Sequence, residues 1–134
     1  MIVVNLKGGL GNQMFQYAIG YALSKKNKTQ FYLDDRYLND GFIKYIRRNH
    51  IKRNFLLNQL NLKYKIATKK IFHFFSLSNK IYFIRYLKIR IFSLILPKKY
   101  IYENKYIYNK NFKKLNTQNI YLDGYWQNKQ YFDS

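Results

Sequence analysis

The fold is decided near the amino terminus, by the stretch Ile-Val-Val-Asn-Leu-Lys-Gly-Gly-Leu-Gly-Asn-Gln at residues 2–13. Residues 2–6 are a short, mostly β-branched run before a glycine pair, which is typical of a buried strand and a turn. After Gly11, apolar residues recur at the spacing of one helix face: Phe15, Ala18, Ile19 and Ala22. Asn12 is placed to cap this helix, and residues 29–33 predict a second strand. The pattern is one βαβ unit with a parallel sheet, so the fold class is α/β.

The rest of the chain predicts further elements from less regular spacing. Helices are predicted at residues 42–48, 66–75 and 80–96, the last stopped by Pro97. We predict an extended piece at residues 55–62, strands at residues 99–102 and 119–122, and a helix start near Gln127. No repeat, linker or low-complexity tract divides the chain, so a single domain is expected.

Composition favours a folded protein in a reducing compartment. The 134 residues are 48% hydrophobic with one proline, unlike disordered chains. The absence of cysteine excludes disulfides, thiolate metal sites and a cysteine nucleophile. The first residues have no basic segment ahead of an apolar stretch and no small-residue cleavage site, so they resemble a strand and not a signal peptide. We therefore expect a cytoplasmic protein.

The charge is strongly positive and lies in the middle of the chain. Lys and Arg number 25 against 6 Asp and Glu, a net charge of +19. Residues 36–114 hold 20 of the basic and 2 of the acidic residues, hence +18 of that total. Such a balance raises nucleic acid or an anionic membrane as partners. Scattered basic residues without a groove-reading motif disfavour nucleic acid.

Membrane contact is the second question that the charge raises. The longest charge-free run, residues 8–24, is too short and too polar for a membrane span. Residues 81–96 are rich in Ile, Leu and Phe, but Lys88 interrupts the arc of Ile81, Ile84, Phe92 and Ile95. This pattern favours a buried helix with extended lysine and arginine stems over a helix on a membrane surface.

The glycine loop at residues 8–13 is the local arrangement best suited to chemistry. A loop between a strand and a helix start directs backbone N–H groups and the positive end of the helix dipole at one point, which suits phosphate. The dinucleotide pattern would need glycine at Met14, and no P-loop Lys-Ser or Lys-Thr follows. From the residues alone, a ligand loop and a tight structural turn both remain open.

Few other side chains are candidates for acid–base or metal chemistry. Asp34 and Asp35 end the second predicted strand, where capping of the next helix is favoured over ligand contact. His50 and His73 have no second histidine or carboxylate at ligand spacing, so no metal site is predicted.

The segment Tyr-Leu-Asp-Gly-Tyr-Trp-Gln at residues 121–127 contains the remaining candidates. Asp123 is either a turn carboxylate or a ligand contact. Trp126 is first of all core material, although aromatic rings also stack on sugars.

Two blocks of sequence resemble a known family. Residues 6–18 read Leu-Lys-Gly-Gly-Leu-Gly-Asn-Gln-Met-Phe-Gln-Tyr-Ala, and residues 21–24 read Tyr-Ala-Leu-Ser. This amino-terminal block (residues 6–24) resembles the signature of the α-1,2-fucosyltransferases of glycosyltransferase family 11. The second block (residues 121–132), Tyr-Leu-Asp-Gly-Tyr-Trp-Gln-Asn-Lys-Gln-Tyr-Phe, resembles the segment ahead of that family's catalytic region, with Tyr102-Glu103 as a weaker match between them.

The resemblance implies a fold and a domain arrangement. Family members are about twice this length and carry a His-x-Arg-x-x-Asp motif shortly after the second block, beyond Ser134. Residues 1–134 are therefore expected to be the amino-terminal, acceptor-side Rossmann-like half of a GT-B type enzyme and to be incomplete as a domain. The GDP-sugar-binding half would be absent, and the chain alone is not expected to be active.

The resemblance also implies an activity and a site. Such enzymes transfer L-fucose from GDP-L-fucose to a galactose 2-hydroxyl of a glycan, with inversion and without a metal or other cofactor. Substrate binding is implied for Gly9, Gly11, Asn12 and Gln13, with Asp123 and Trp126 secondary. No catalytic residue is named in this chain. The alternative is a basic, non-catalytic module that binds an anionic polymer or a membrane, and peripheral contact with the inner membrane face is compatible with either.

Overall fold

The sheet is parallel throughout, as the βαβ pattern predicts. The computed structural model describes residues 1–39, 53–103, 107–109, 112 and 115–132. In these ranges the strands are β1 Ile2–Asn5, β2 Phe31–Asp34, β3 Lys65–Ile66, β4 Tyr100–Tyr102 and β5 Ile120–Asp123. Their order across the sheet is β3-β2-β1-β5-β4, and each neighbouring pair is parallel. The predicted α/β, Rossmann-like class is confirmed.

Strand β1 is the centre of the sheet. Ile2 lies opposite Phe31 of β2 on one side and opposite Ile120 of β5 on the other. All four β1 residues are buried, because neighbouring strands cover both edges and packed side chains cover both faces. A central parallel strand of this kind requires a continuous apolar run, and Ile-Val-Val supplies it.

The described helices follow the strands in turn along the chain, and they pack on both faces of the sheet. They are α1 Leu10–Lys26, α2 Arg36–Asn39, α3 Lys69–Phe74 and α4 Tyr82–Ile95, with 3₁₀ turns at Leu57–Gln59 and Lys129–Tyr131. Ile19 and Leu23 of α1 pack with Ile2 and Val4 on one face. The other face carries α3 and α4 in a cluster around Val3.

Gly20 allows α1 to lie close to the sheet. A Cβ atom at Gly20 would lie 2.3 Å from Cγ2 of Val4 and 2.5 Å from Cε2 of Phe31. Such separations are far inside van der Waals contact, so a larger residue would force the helix away from β1 and β2. Close packing here fixes where α1 starts relative to the end of β1.

Several predicted elements are confirmed and others are not. The strands predicted at residues 2–6, 29–33, 99–102 and 119–122 and the helices at residues 66–75 and 80–96 are present with shifted ends. The extended piece at residues 55–62 is wrong, because this segment contains a 3₁₀ turn and β3 follows it at Lys65–Ile66. Near Gln127 the described residues form a 3₁₀ turn at Lys129–Tyr131 in place of a helix start. The helix predicted at residues 42–48 lies outside the described residues.

The start and the buried face of α1 differ from the prediction. The helix begins at Leu10 with Gly9 at the cap position, so Asn12 is not the cap. Its buried side is formed by Gln13, Gln16, Ile19, Gly20, Leu23 and Ser24. Phe15, predicted on the buried face, is 40% exposed. The buried face differs from the predicted one because Gln13 and Gln16 bind backbone groups beneath the helix, as described below.

The buried-helix prediction for residues 81–96 is wrong. In α4 only Arg85 and Ile89 are buried, whereas Phe83 is 61% and Leu94 is 81% exposed. The helix covers the sheet with a narrow side and leaves a wide apolar side uncovered. Among the described residues, no helix is both long and apolar enough to cross a membrane.

Candidate functional site

The strand order brings the carboxyl ends of β1 and β5 side by side at one end of the sheet. β2 and β3 lie on one side of β1, and β5 and β4, which come later in the chain, lie on the other side. β1 lies where the strand order changes direction, and the carboxyl ends of the strands beside such a point are the usual ligand position in open parallel sheets. The loop at residues 6–9 and the turn at residues 124–127 meet there. We call this place the β1–β5 crevice.

The glycine loop enters the crevice in a conformation that needs its first glycine. Gly8 has φ +82°, in the left-handed region, and a Cβ there would lie 2.1 Å from Nδ2 of Asn12. Gly9 is the cap residue of α1, and no side chain caps this helix. The first α-helical hydrogen bond runs from the Gln13 N–H to the Gly9 carbonyl at 3.0 Å, so the preceding turn directs its N–H groups outward.

Gly11 has a different environment from Gly8. A Cβ atom at Gly11 would meet nothing within 4 Å, and the residue is exposed. Packing among the described residues therefore does not require a glycine at this position. The space beside the helix start is open to a bound molecule.

Two buried glutamines hold the loop in place. Gln16 accepts a hydrogen bond from the Lys7 N–H at 3.0 Å and donates to the carbonyls of Lys7 and Gly124, each at 3.1 Å. Gln13 donates to the Gly8 carbonyl at 3.0 Å and the Asn54 carbonyl at 2.8 Å. Both side chains are fully buried. Gln13 was predicted to bind substrate, and the structure places it inside the protein as a support for the loop.

An ion pair lies at the floor of the crevice. Lys7, two residues after β1, pairs with Asp123 at the end of β5, and the Asn5 amide donates to the same carboxylate oxygen at 3.2 Å. Burial lowers the pKa of Lys7, but the charge and hydrogen bond of Asp123, together with Tyr125 and Tyr37, more than offset this, so the net pKa lies above the ordinary lysine value. In the described part of the chain, the second Asp123 oxygen, Oδ2, has no hydrogen-bond partner.

Asn12 connects the two sides of the crevice. Its side-chain oxygen accepts a hydrogen bond from Nε2 of Gln127 at 2.5 Å. The residue is partly exposed, unlike Gln13. The two sequence blocks, more than a hundred residues apart, thus meet through Asn12–Gln127 and Gln16–Gly124 contacts.

Arg53 is a cation at the loop that the sequence analysis did not single out. A Cβ atom built at Gly9 would lie 3.5 Å from Nη1 of Arg53, so the guanidinium lies over this glycine. Arg53 is exposed, and the neighbouring Asn54 carbonyl and Leu56 N–H bind Gln13. No local pattern marks Arg53, because only the fold brings residues 53–56 to the start of α1.

Trp126 lies in the core beneath the crevice. It is fully buried and packs edge-on against Tyr131, with ring centroids 5.2 Å apart. Its backbone has φ +59°, and its N–H and that of Tyr125 donate to a carboxylate oxygen of Glu103 at 2.8 and 2.7 Å. Glu103, part of the weak sequence match, therefore shapes the turn that follows Asp123.

The remaining candidates lie away from the crevice. The Asp34 carboxylate accepts hydrogen bonds from the Arg36 backbone N–H at 3.1 Å and the Tyr121 hydroxyl at 2.7 Å, and it pairs with the Arg36 guanidinium at 2.7 Å, so its partners lie within the protein. Asp35 accepts from the Asn39 amide at 3.2 Å. His73 is exposed on α3, and His50 lies outside the described residues. The described ranges contain no cluster of three or more metal-ligating side chains.

Comparison with known proteins identifies two curated relatives, both from Escherichia coli. An O-antigen biosynthesis glycosyltransferase, WbnK, is 36% identical over 96% of this chain and 43% of that protein. An alpha-1,2-colitosyltransferase is 30% identical over 98% of this chain and 41% of its own length. The chain thus spans less than half the length of these relatives. No family model and no solved structure matches it. Its similarity to glycosyltransferases, indicated by the two sequence blocks, is confirmed.

Proposed function

We propose that this chain belongs to a glycosyltransferase that transfers a sugar from a nucleotide sugar to a hydroxyl of a glycan. The observation that carries the proposal is the meeting of the two sequence blocks at the β1–β5 crevice, through Asn12–Gln127 and Gln16–Gly124. Those blocks carry the resemblance to α-1,2-fucosyltransferases, and two glycosyltransferases align with almost all of the chain.

The finer proposal is transfer of L-fucose from GDP-L-fucose to a galactose 2-hydroxyl, with inversion and without a metal. The acceptor oxygen forms a bond to the anomeric carbon while the bond from that carbon to the diphosphate breaks. The diphosphate leaves with the electron pair, and the hydroxyl proton passes to the medium. Colitose is the second candidate sugar, because one relative is named for its α-1,2 transfer.

The crevice offers groups that suit a leaving diphosphate. Uncapped N–H groups at the start of α1 and the Arg53 guanidinium over Gly9 are donors for negative charge. Donors arranged before the reaction stabilise developing charge most effectively, and losing one costs on the order of 3 kcal/mol in the barrier. The partly exposed Asn12 amide is our first choice for a side chain that contacts donor or acceptor.

The buried pair of Lys7 and Asp123 has a supporting role in this proposal. It fixes the ends of β1 and β5 relative to each other and therefore fixes the width of the crevice. Truncating one partner would leave an unpaired buried charge, which costs about 3–5 kcal/mol. Asp123 is therefore expected to act on turnover through the shape of the site.

The test is transfer of labelled fucose from GDP-L-fucose to a galactoside, with the Asn12→Ala variant in the complete polypeptide. We expect kcat/KM to fall by about a hundredfold, with the fold unchanged by circular dichroism. Asn61→Ala is the matched control, since Asn61 is exposed and precedes the amino end of β3, at the opposite edge of the sheet. Activity of Asn12→Ala within twofold of the control would remove the role of Asn12. No transfer of fucose or colitose by the unmodified protein would refute the proposed function.

A further inference from the structure

The outer side of α4 is an apolar surface that nothing in the described structure covers. Six large side chains form it, which we call the α4 apolar face: Phe83, Ile84, Leu87, Ile91, Leu94 and Ile95. At 100° per residue they fall within an arc of about 120°. Their exposed fractions range from 36% at Ile84 to 81% at Leu94. A contiguous surface of this kind on a folded domain marks an interaction site.

Cationic groups border the α4 apolar face. On the same helical wheel Lys88 falls at one border of the arc and Arg90 at the other. Of the described acidic residues, Asp34, Glu103 and Asp123 are buried, and only Asp35 is partly exposed. Negative charge on the partner is therefore strongly favoured.

This charge also argues against a second copy as the occupant. Two chains of +19 each would repel, and the exposed part of the described surface offers almost no carboxylate to offset this. A nucleic acid would satisfy the cations but not six apolar side chains. An anionic lipid surface provides both the negative charge and an apolar layer at the required depth.

We propose that the α4 apolar face binds the surface of an anionic lipid bilayer, with α4 lying in the interface plane. The helix has 14 residues, or roughly 21 Å, which is short of the ~30 Å hydrocarbon layer and fits lying on the membrane. Its apolar side chains enter the acyl boundary, while Lys88 and Arg90 at the two borders of the face contact lipid phosphates. The proposal is independent of the transfer reaction, because it uses none of the crevice residues.

The experiment is flotation of the full chain with vesicles made of equal parts phosphatidylglycerol and phosphatidylcholine. We expect binding to these vesicles, weaker binding at high salt, and little binding to pure phosphatidylcholine. The variant Leu87→Gln/Ile91→Gln should lower the partition coefficient at least about tenfold. Ile107→Gln is the matched control, since Ile107 is 64% exposed and lies outside α4; it should bind as the unmodified chain does.

Leu94→Gln keeps the test decisive if the double variant does not fold, because this side chain is 81% exposed and contributes little to packing. It should reduce vesicle binding about threefold. Equal binding by Leu94→Gln and Ile107→Gln, or equal binding to charged and uncharged vesicles, would overturn the proposal. Concentration-dependent dimers in sedimentation that Leu94→Gln abolishes, with no vesicle binding, would assign the surface to a second copy instead.

Discussion

Replacement of Gln16 by methionine tests whether buried polar contacts hold the glycine loop. Gln16 is fully buried in α1 and satisfies three backbone groups, the N–H and carbonyl of Lys7 and the carbonyl of Gly124. Methionine has nearly the same length and is apolar, so the cavity stays filled. The change therefore isolates the loss of the three hydrogen bonds.

The expected magnitude follows from those three groups. A buried donor or acceptor left without a partner costs about 1–3 kcal/mol, and carbonyls lie at the lower end. The three groups together amount to about 4 kcal/mol, which the better transfer of methionine into an apolar site offsets by about 1 kcal/mol. We expect Gln16→Met to lose about 3 kcal/mol, a large fraction of the ~5–15 kcal/mol typical of a domain.

Urea unfolding followed by tryptophan fluorescence measures this loss. The chain has one tryptophan, Trp126, which is fully buried beneath the crevice and reports its opening. With an m-value of about 1.5 kcal/mol/M, the midpoint should fall by about 2 M. Gln59→Met is the control, since Gln59 is exposed and should change stability by less than about 0.5 kcal/mol. A loss below about 1 kcal/mol for Gln16→Met would refute the reasoning.

Two further predictions concern the crevice and the pH dependence. Gly11→Ala should leave the unfolding free energy unchanged or raise it by up to ~1 kcal/mol, because the added Cβ meets no atom within 4 Å. Fucosyl transfer should fall at least about tenfold, because the methyl group enters the space proposed for the ligand. Urea unfolding and the transfer assay on one preparation separate the two effects. Burial raises the pKa of Tyr131 and of Tyr102 to about 12, so both keep their protons in the folded state after an unfolded chain has lost them. Their contribution to the free energy of unfolding is complete below about pH 10 and is lost as the pH rises to about 12. The urea midpoint should therefore fall across this window, and less steeply in Tyr131→Phe. A midpoint that does not change with pH in this window would contradict the assignment.

The first βαβ unit could be predicted because its signals are local. A β-branched run, a glycine pair and a helical spacing of apolar residues each act over a few neighbours, and β1, α1 and β2 follow from them. The exposed side of α4 could not be predicted in this way. Periodicity shows that a face is apolar, but it does not show whether other elements cover it.

The errors in α1 have one physical cause. Pattern analysis assigns glutamine to the surface, so Gln13 and Gln16 directed the predicted buried face towards Phe15 and Ala22. In the structure these glutamines are buried because residues 7, 8 and 124 present backbone groups that need partners. Arg53 was missed for a related reason, since its position over Gly9 depends on contacts across more than forty residues.

The start of α1 helps to separate a structural turn from a ligand loop, which the residues alone left open. A turn selected for stability would cap the helix with a side chain, worth about 1 kcal/mol, and would place alanine at an open helical position such as Gly11. This helix has glycine at both places, no capping side chain and no acidic residue in its first turn. Of Gly8, Gly9 and Gly11, only Gly8 has an internal reason to be glycine, because its φ is +82° and a Cβ there would clash with the Asn12 side chain. Residues that are not the most stable choice are expected where a binding function selects them. A phosphate group at the helix start would account both for the missing capping side chain and for the glycines.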